Sequence, residues 1–163
     1  MDALYEGDYN TSPECWRIFT EVLGKEFSNA VLFGQVHQLT VDTYAAQHAG
    51  GKHRDKSVII HLCGLHLILD RGARPTSVPK SFQRLARVVR VWPHVHVPRP
   101  ADMTAMTVFD VALVESAEDH ARLVREWAKS VWRAWSPHYP QIRDFVIEHL
   151  DLKKQDEKDT TTV

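Results

Sequence analysis

The chain of 163 residues is poor in cysteine, in glycine and in long apolar runs. Two cysteines, Cys15 and Cys63, are too few for a disulfide framework, so both read as free thiols. Seven glycines and eight prolines with no internal repeat exclude a fibre or a low-complexity chain. No apolar stretch approaches the ~18 residues that a membrane span needs. Asp2, Glu6 and Asp8 stand where a signal peptide would carry basic residues. The expectation is a cytoplasmic protein that does not enter a membrane. What the chain does hold is 44% apolar residues, enough for one core, together with ten histidines and five tryptophans.

The patterning predicts an all-α fold, a compact bundle of five to six helices spanning residues 1–150, followed by a polar tail at 151–163. Thr11-Ser12-Pro13-Glu14 has the form of a capping box, and Cys15, Ile18, Phe19, Val22 and Leu23 then recur at helical spacing, placing a helix at 12–27. Asn29 caps a second helix through Ala30–His48, which Gly50-Gly51 ends. Ser57–Leu69 is apolar nearly all round and is expected to be the most buried helix. Residues 76–91 form an amphipathic helix with Phe82, Leu85, Ala86 and Val89 inward. The three prolines between Trp92 and Pro100 force an extended connector. Residues 104–114 suit either a short helix or a strand. Ser116 caps a helix running to Trp135, and Ser136-Pro137 restarts a last one at 137–150.

The near-neutral total conceals segregation. Residues 1–70 carry nine acidic and five basic side chains, 71–100 none and seven, and 102–163 twelve and eight, giving nets of −4, +7 and −4. Lys80, Arg84, Arg87 and Arg90 rise along one helix face. Such a stripe either contacts an acidic partner or is an ordinary solvated face. No aromatic residues interleave with it, so single-stranded nucleic acid is not the expected ligand.

Helical geometry restricts which histidines can share a ligand. His37 and His48 fall on one face but stand ~16 Å apart, and His61 and His66 point roughly 140° from one another. No pair has the spacing of a one-helix chelate. Folding the second and third helices into a hairpin brings His37 level with His66, Asp42 with Cys63 and Tyr44 with His61. Three explanations stay open for this polar ladder. One is a divalent metal such as zinc, iron or nickel, held by His37, His61 and His138 with Asp42 as ligand or orienter. Another is a metal-free acid–base site in which Asp42 fixes the tautomer of a histidine, with Tyr44 and His61 taking part in catalysis. The last is a hydrogen-bonded network that only fixes packing. His94 and His96 have a further metal-ligand spacing, within a proline-bounded loop. Cys15, in a first helical turn, is better set than Cys63 to be a reactive thiol, though neither has a base visible in the sequence. Trp127, Trp132 and Trp135 read as core, or as the wall of an aromatic pocket.

The run Val36-His37-Gln38-Leu39-Thr40-Val41-Asp42-Thr43-Tyr44-Ala45-Ala46-Gln47-His48, together with His61 and the segment Trp127–His138, resembles an uncharacterised bacterial family classed as a domain of unknown function. The resemblance covers most of residues 12–150 and rests on the motif V-H-x-L-x-V-D-x-Y-x-x-Q-H. It implies that His37, Asp42, Tyr44, Gln47, His48, His61 and His138 belong to a shared pattern, and it implies no reaction. Members of that family often begin with a Cys-Pro-x-Cys-Gly stretch, whereas Tyr5–Asn10 here holds no cysteine. At the level of fold the chain is also distantly similar to the metal-dependent DinB and YfiT bundles, without their paired histidines on the last helix. The expected function is that of a small-molecule enzyme, a metal-dependent hydrolase or transferase. The alternative is a non-enzymatic interaction module that uses the Lys80–Arg90 face.

Overall fold

The computed structural model describes residues 9–52 and 55–150. Among these residues there is no strand, and six helices of eleven residues or more build the fold: α1 (Pro13–Phe27), α2 (Ala30–Gln47), α3 (Asp55–Leu65), α4 (Val78–Val88), α7 (Ala117–Ala134) and α8 (Tyr139–Leu150). Two short helices, α5 (Pro100–Met103) and α6 (Val108–Ala112), lie between α4 and α7. Residues 104–114 are therefore helical where they are regular, with a capping box closed by Thr107 and Asp110. The expected tail at 151–163 lies outside the described residues.

The helix starts follow from their caps. Ser12, one residue later than the expected Thr11, accepts from the Cys15 amide, Asn29 from that of Leu32, and Ser116 from that of Asp119. Gly50 and Gly51 take positive φ angles of 107° and 59° and turn the chain out of α2. The third helix ends its α-form at Leu65 and continues as a π-turn, His66–Asp70, closed by the Arg71 amide on the His66 carbonyl at 3.1 Å. The fourth is shorter than the expected 76–91, because Pro75–Ser77 forms a 3-10 turn and Val89 is already extended. Ala86 faces solvent, and Val78, Leu85 and Val89 are the buried residues there. A 3-10 turn at Ser136–His138 likewise delays α8.

Ser57–Leu69 is the most buried stretch, as expected, with no exposed residue, while α2 lies at the centre of the bundle. It packs against α1, α3 and α7, while α8 closes the far side against α3 and α4. Thr40, Asp42, Thr43, Tyr44 and Gln47 are all buried on α2, so its mean hydropathy understates how deeply it sits. Trp127, Trp132 and Trp135 are core residues with their N–H groups used. Trp127 donates to Gln47 Oε1 at 3.0 Å, Trp135 to the Ala46 carbonyl at 3.3 Å, and Trp132 to the Asp70 carboxylate at 3.1 Å. Among the described residues no helix is long and apolar enough to cross a membrane.

Candidate functional site

Because α2 has neighbours on several sides, the polar residues of its motif do not converge. Each of three groups meets a different partner.

The first group surrounds Glu26, which the i, i+4, i+7 series Cys15, Phe19, Val22, Glu26 carries to the buried face of α1. Its carboxylate is fully buried. Oε2 accepts from His37 Nδ1 at 2.8 Å, while Oε1 accepts from Thr40 Oγ1 at 2.6 Å and from His120 Nε2 at 2.9 Å. Burial pushes this carboxyl up, but the hydrogen bonds from His120, His37 and Thr40 outweigh it and hold Glu26 below its ordinary value of 4.5. The His37 side chain is 16% exposed and stacks on Phe33 at 4.3 Å, so one side of the ring is locked inside and the other reaches the surface.

The second group is built on Asp42, also fully buried. Its Oδ1 accepts from His61 Nδ1 at 2.8 Å and from Gln38 Nε2 at 2.9 Å. Its Oδ2 is buried with no hydrogen-bond partner. That oxygen lies over Gly64, where an added Cβ would come within 2.1 Å of it and within 2.8 Å of Phe82 Cζ. Burial raises the Asp42 pKa, and the His61 contact opposes the rise. Like His37, the His61 side chain is 16% exposed and stands on a buried carboxylate. Burial and the nearby Asp42 both push the Cys63 thiol far up, which makes it an inert core residue.

The third group joins the N-terminal segment to the end of α2. Tyr44 OH lies 2.6 Å from Thr11 Oγ1 and 3.6 Å from Cys15 Sγ, and Cys15 Sγ lies 3.4 Å from His48 Nε2. Tyr44 itself is stacked on Phe19 at 3.8 Å.

The residues expected to form one site are thus divided. His61 does pair with Asp42. His37 turns instead to Glu26, and Tyr44 to Thr11 and Cys15. His138 sits at the surface, donating from Nε2 to the His96 carbonyl at 2.9 Å. A single centre made of His37, His61 and His138 is not what the fold assembles, because the hairpin register sets height along the helices and not the direction in which each ring leaves its own helix. Among the described residues, no group of three or more His, Cys, Asp or Glu side chains is placed to hold a metal ion. Of the loop pair, His94 bonds Asp55 at 2.9 Å, and its ring meets that of His96 edge-on at 5.2 Å.

Sequence reasoning missed Glu26 and His120 altogether. A signal was present, since both fall on the inward stripe of an amphipathic helix, where a titratable residue must find a partner. It also missed that His66 Nδ1 bonds Asp70 at 2.8 Å, a pairing made within the π-turn.

Two depressions adjoin these groups, and a third lies apart from them along α4. A cleft of about 240 Å³ is lined by Phe33, His37, Gln38, Pro75, Thr76 and Pro79, between α2 and the turn before α4. A larger cavity of about 580 Å³ lies beside His48, with Asn10, Arg99 and Thr107 among its walls. A groove of about 590 Å³ runs along α4 past Lys80, Arg84 and Arg87. No curated protein matches the chain, and no solved structure matches it. Residues 4–136 match DUF5946, and the chain belongs to that family, whose function is unknown.

Proposed function

We propose that the protein is a metal-free acid–base enzyme acting on a compact polar small molecule bound between α2 and the Pro75–Pro79 turn. The observation that carries this reading is the pairing of His37, a wall of that cleft, with the fully buried carboxylate of Glu26. A carboxylate oxygen can only accept, so Nδ1 of His37 bears the proton and Nε2 is the nitrogen left to exchange one with a bound molecule. Glu26 orients the ring and stabilises the imidazolium that proton transfer creates, while Thr40 and His120 keep Glu26 ionised. Gln38, also on the cleft wall, bonds Asp42 and so ties the cleft to the second histidine–carboxylate pair. Asp42 Oδ2, by contrast, is buried without a donor. A buried acceptor left without a donor costs about 1–3 kcal/mol, a cost partly offset whenever His61 becomes cationic beside it.

The test is turnover of a panel of small esters, amides and phosphate esters by untagged protein treated with chelator, alongside metal analysis. The expected result is turnover that survives chelation, falls by about 10²-fold or more in His37→Gln, and is blocked in Thr76→Trp, which fills the cleft. Turnover lost on chelation and restored by zinc, iron or nickel would establish the metal-dependent reading instead.

A second reading follows from the groove on α4. Lys80, Arg84 and Arg87 line it together with Ser77, Ser81 and Gln83, a donor-rich wall suited to an anionic partner. Arg84→Glu with Arg87→Glu should abolish retention on a polyanion matrix at low salt. Unchanged retention would leave the stripe as a solvated face.

A further inference from the structure

The third group of side chains has the composition of an activated thiol. Cys15 lies in the first turn of α1, the end of a helix where negative charge is favoured, and it retains 9% exposure. Its Sγ stands 3.4 Å from His48 Nε2, and the other nitrogen of that ring lies 3.0 Å from the Tyr44 carbonyl. A carbonyl only accepts, so Nδ1 carries the hydrogen, and Nε2 of the neutral ring offers a lone pair to the thiol. Burial lowers the His48 pKa, which keeps the ring neutral with Nε2 unprotonated. Tyr44 OH donates to the same sulfur at 3.6 Å, leaving Thr11 to donate to Tyr44. Nucleophile, base and the group that orients the base are all in place. His48, though not Cys15, is also a wall of the cavity of about 580 Å³ at this end of α2.

We propose that Cys15 is a reactive thiol with His48 as its proton acceptor, and that it undergoes exchange with low-molecular-weight disulfides. This chemistry needs a proton acceptor and a donor to sulfur, and both are present. His48 takes the S–H proton, and Cys15 Sγ forms a bond to one sulfur of the disulfide as the S–S bond breaks. The departing thiolate receives the proton from His48. Cys15 is oxidised to the mixed disulfide, and the other half of the reagent is reduced to a thiol. Cys63, fully buried, serves as an internal control.

The experiment treats the native protein with oxidised glutathione and, separately, with an aromatic disulfide whose released thiolate is coloured, and maps the adduct by peptide mass. The expected result is one adduct per chain, on Cys15, formed faster in the native protein than in protein unfolded by urea, and slowed about tenfold or more in His48→Gln. Adducts on Cys63 at an equal rate, no native adduct, or a native rate no greater than the unfolded one would each overturn the proposal. The comparison of native with unfolded wild-type protein decides the matter even where His48→Gln does not fold. Neither outcome bears on His37 and its cleft, which involve other residues.

Discussion

At the scale of single residues, Gly64 and Glu26 make the sharpest demands. A Cβ at position 64 would meet a buried carboxylate that is itself held by His61, so Gly64→Ala should cost about 3 kcal/mol or prevent folding. Gly24→Ala, where nothing lies within 4 Å, should instead stabilise by about 0.5–1 kcal/mol. Urea denaturation of the two variants reads the contrast. Glu26 makes a prediction about pH. Its folded pKa is depressed, so its contribution to stability is present above the unfolded value of 4.5 and is lost as pH falls through the folded value. Glu26→Gln should therefore cost about 1–3 kcal/mol at pH 7 and much less under acid, which thermal melts across that range would show. How much of this was legible in sequence varies with the residue. Asp42 beside His61 follows from the hairpin register, within two positions of the expected level. Glu26 with His37 does not, because its partner comes from α1, an element outside the hairpin.

At the scale of elements, Gln47 ties α2 to the α5–α6 segment. Gln47 Nε2 donates to the carbonyls of Met103 and Met106, the latter at 2.7 Å, and its Oε1 accepts from Trp127. Gln47→Ala should loosen residues 100–107, which Met103 still anchors in the core, and limited proteolysis should then cut there faster than in the parent chain. Periodicity made most helices legible, since capping residues and inward stripes are local. The π-turn at His66–Asp70 was not, because it goes with a long-range contact, Trp132 on Asp70; the two 3-10 turns begin at Pro75 and Pro137, whose prolines mark a boundary without fixing the kind of turn. A helix can be central while rich in polar residues when other elements supply partners for most of them, as they do for Thr40, Asp42, Tyr44 and Gln47 on α2.

At the scale of the whole molecule, the family match ends at residue 136 while the core does not. Ile142, Phe145 and Val146 of α8 are buried, Phe145 meets Trp92 at 5.6 Å, and Tyr139 stacks on Trp132 at 4.4 Å. A chain ended at residue 136 should lose its cooperative unfolding transition, as followed by circular dichroism, because α3 and α4 would expose the apolar faces that α8 covers. Charge segregation also belongs to this scale. Lys80, Arg84 and Arg87 of the basic segment line one groove, a placement readable from sequence as a helix stripe but not as a concavity, since Leu67, Ala73 and Leu150 from other elements complete it.

The contact between Gly64 and Asp42 constrains the order in which related sequences can change. Any side chain at position 64 would be barred while the carboxylate stays, so the aspartate must shorten and Phe82 must swing aside beforehand. A lineage that has taken the first of those steps has already given up the anchor of His61. Positions 42, 61, 64 and 82 should consequently be inherited as a block, and a relative with alanine at 64 should carry neither the aspartate nor a need for the histidine.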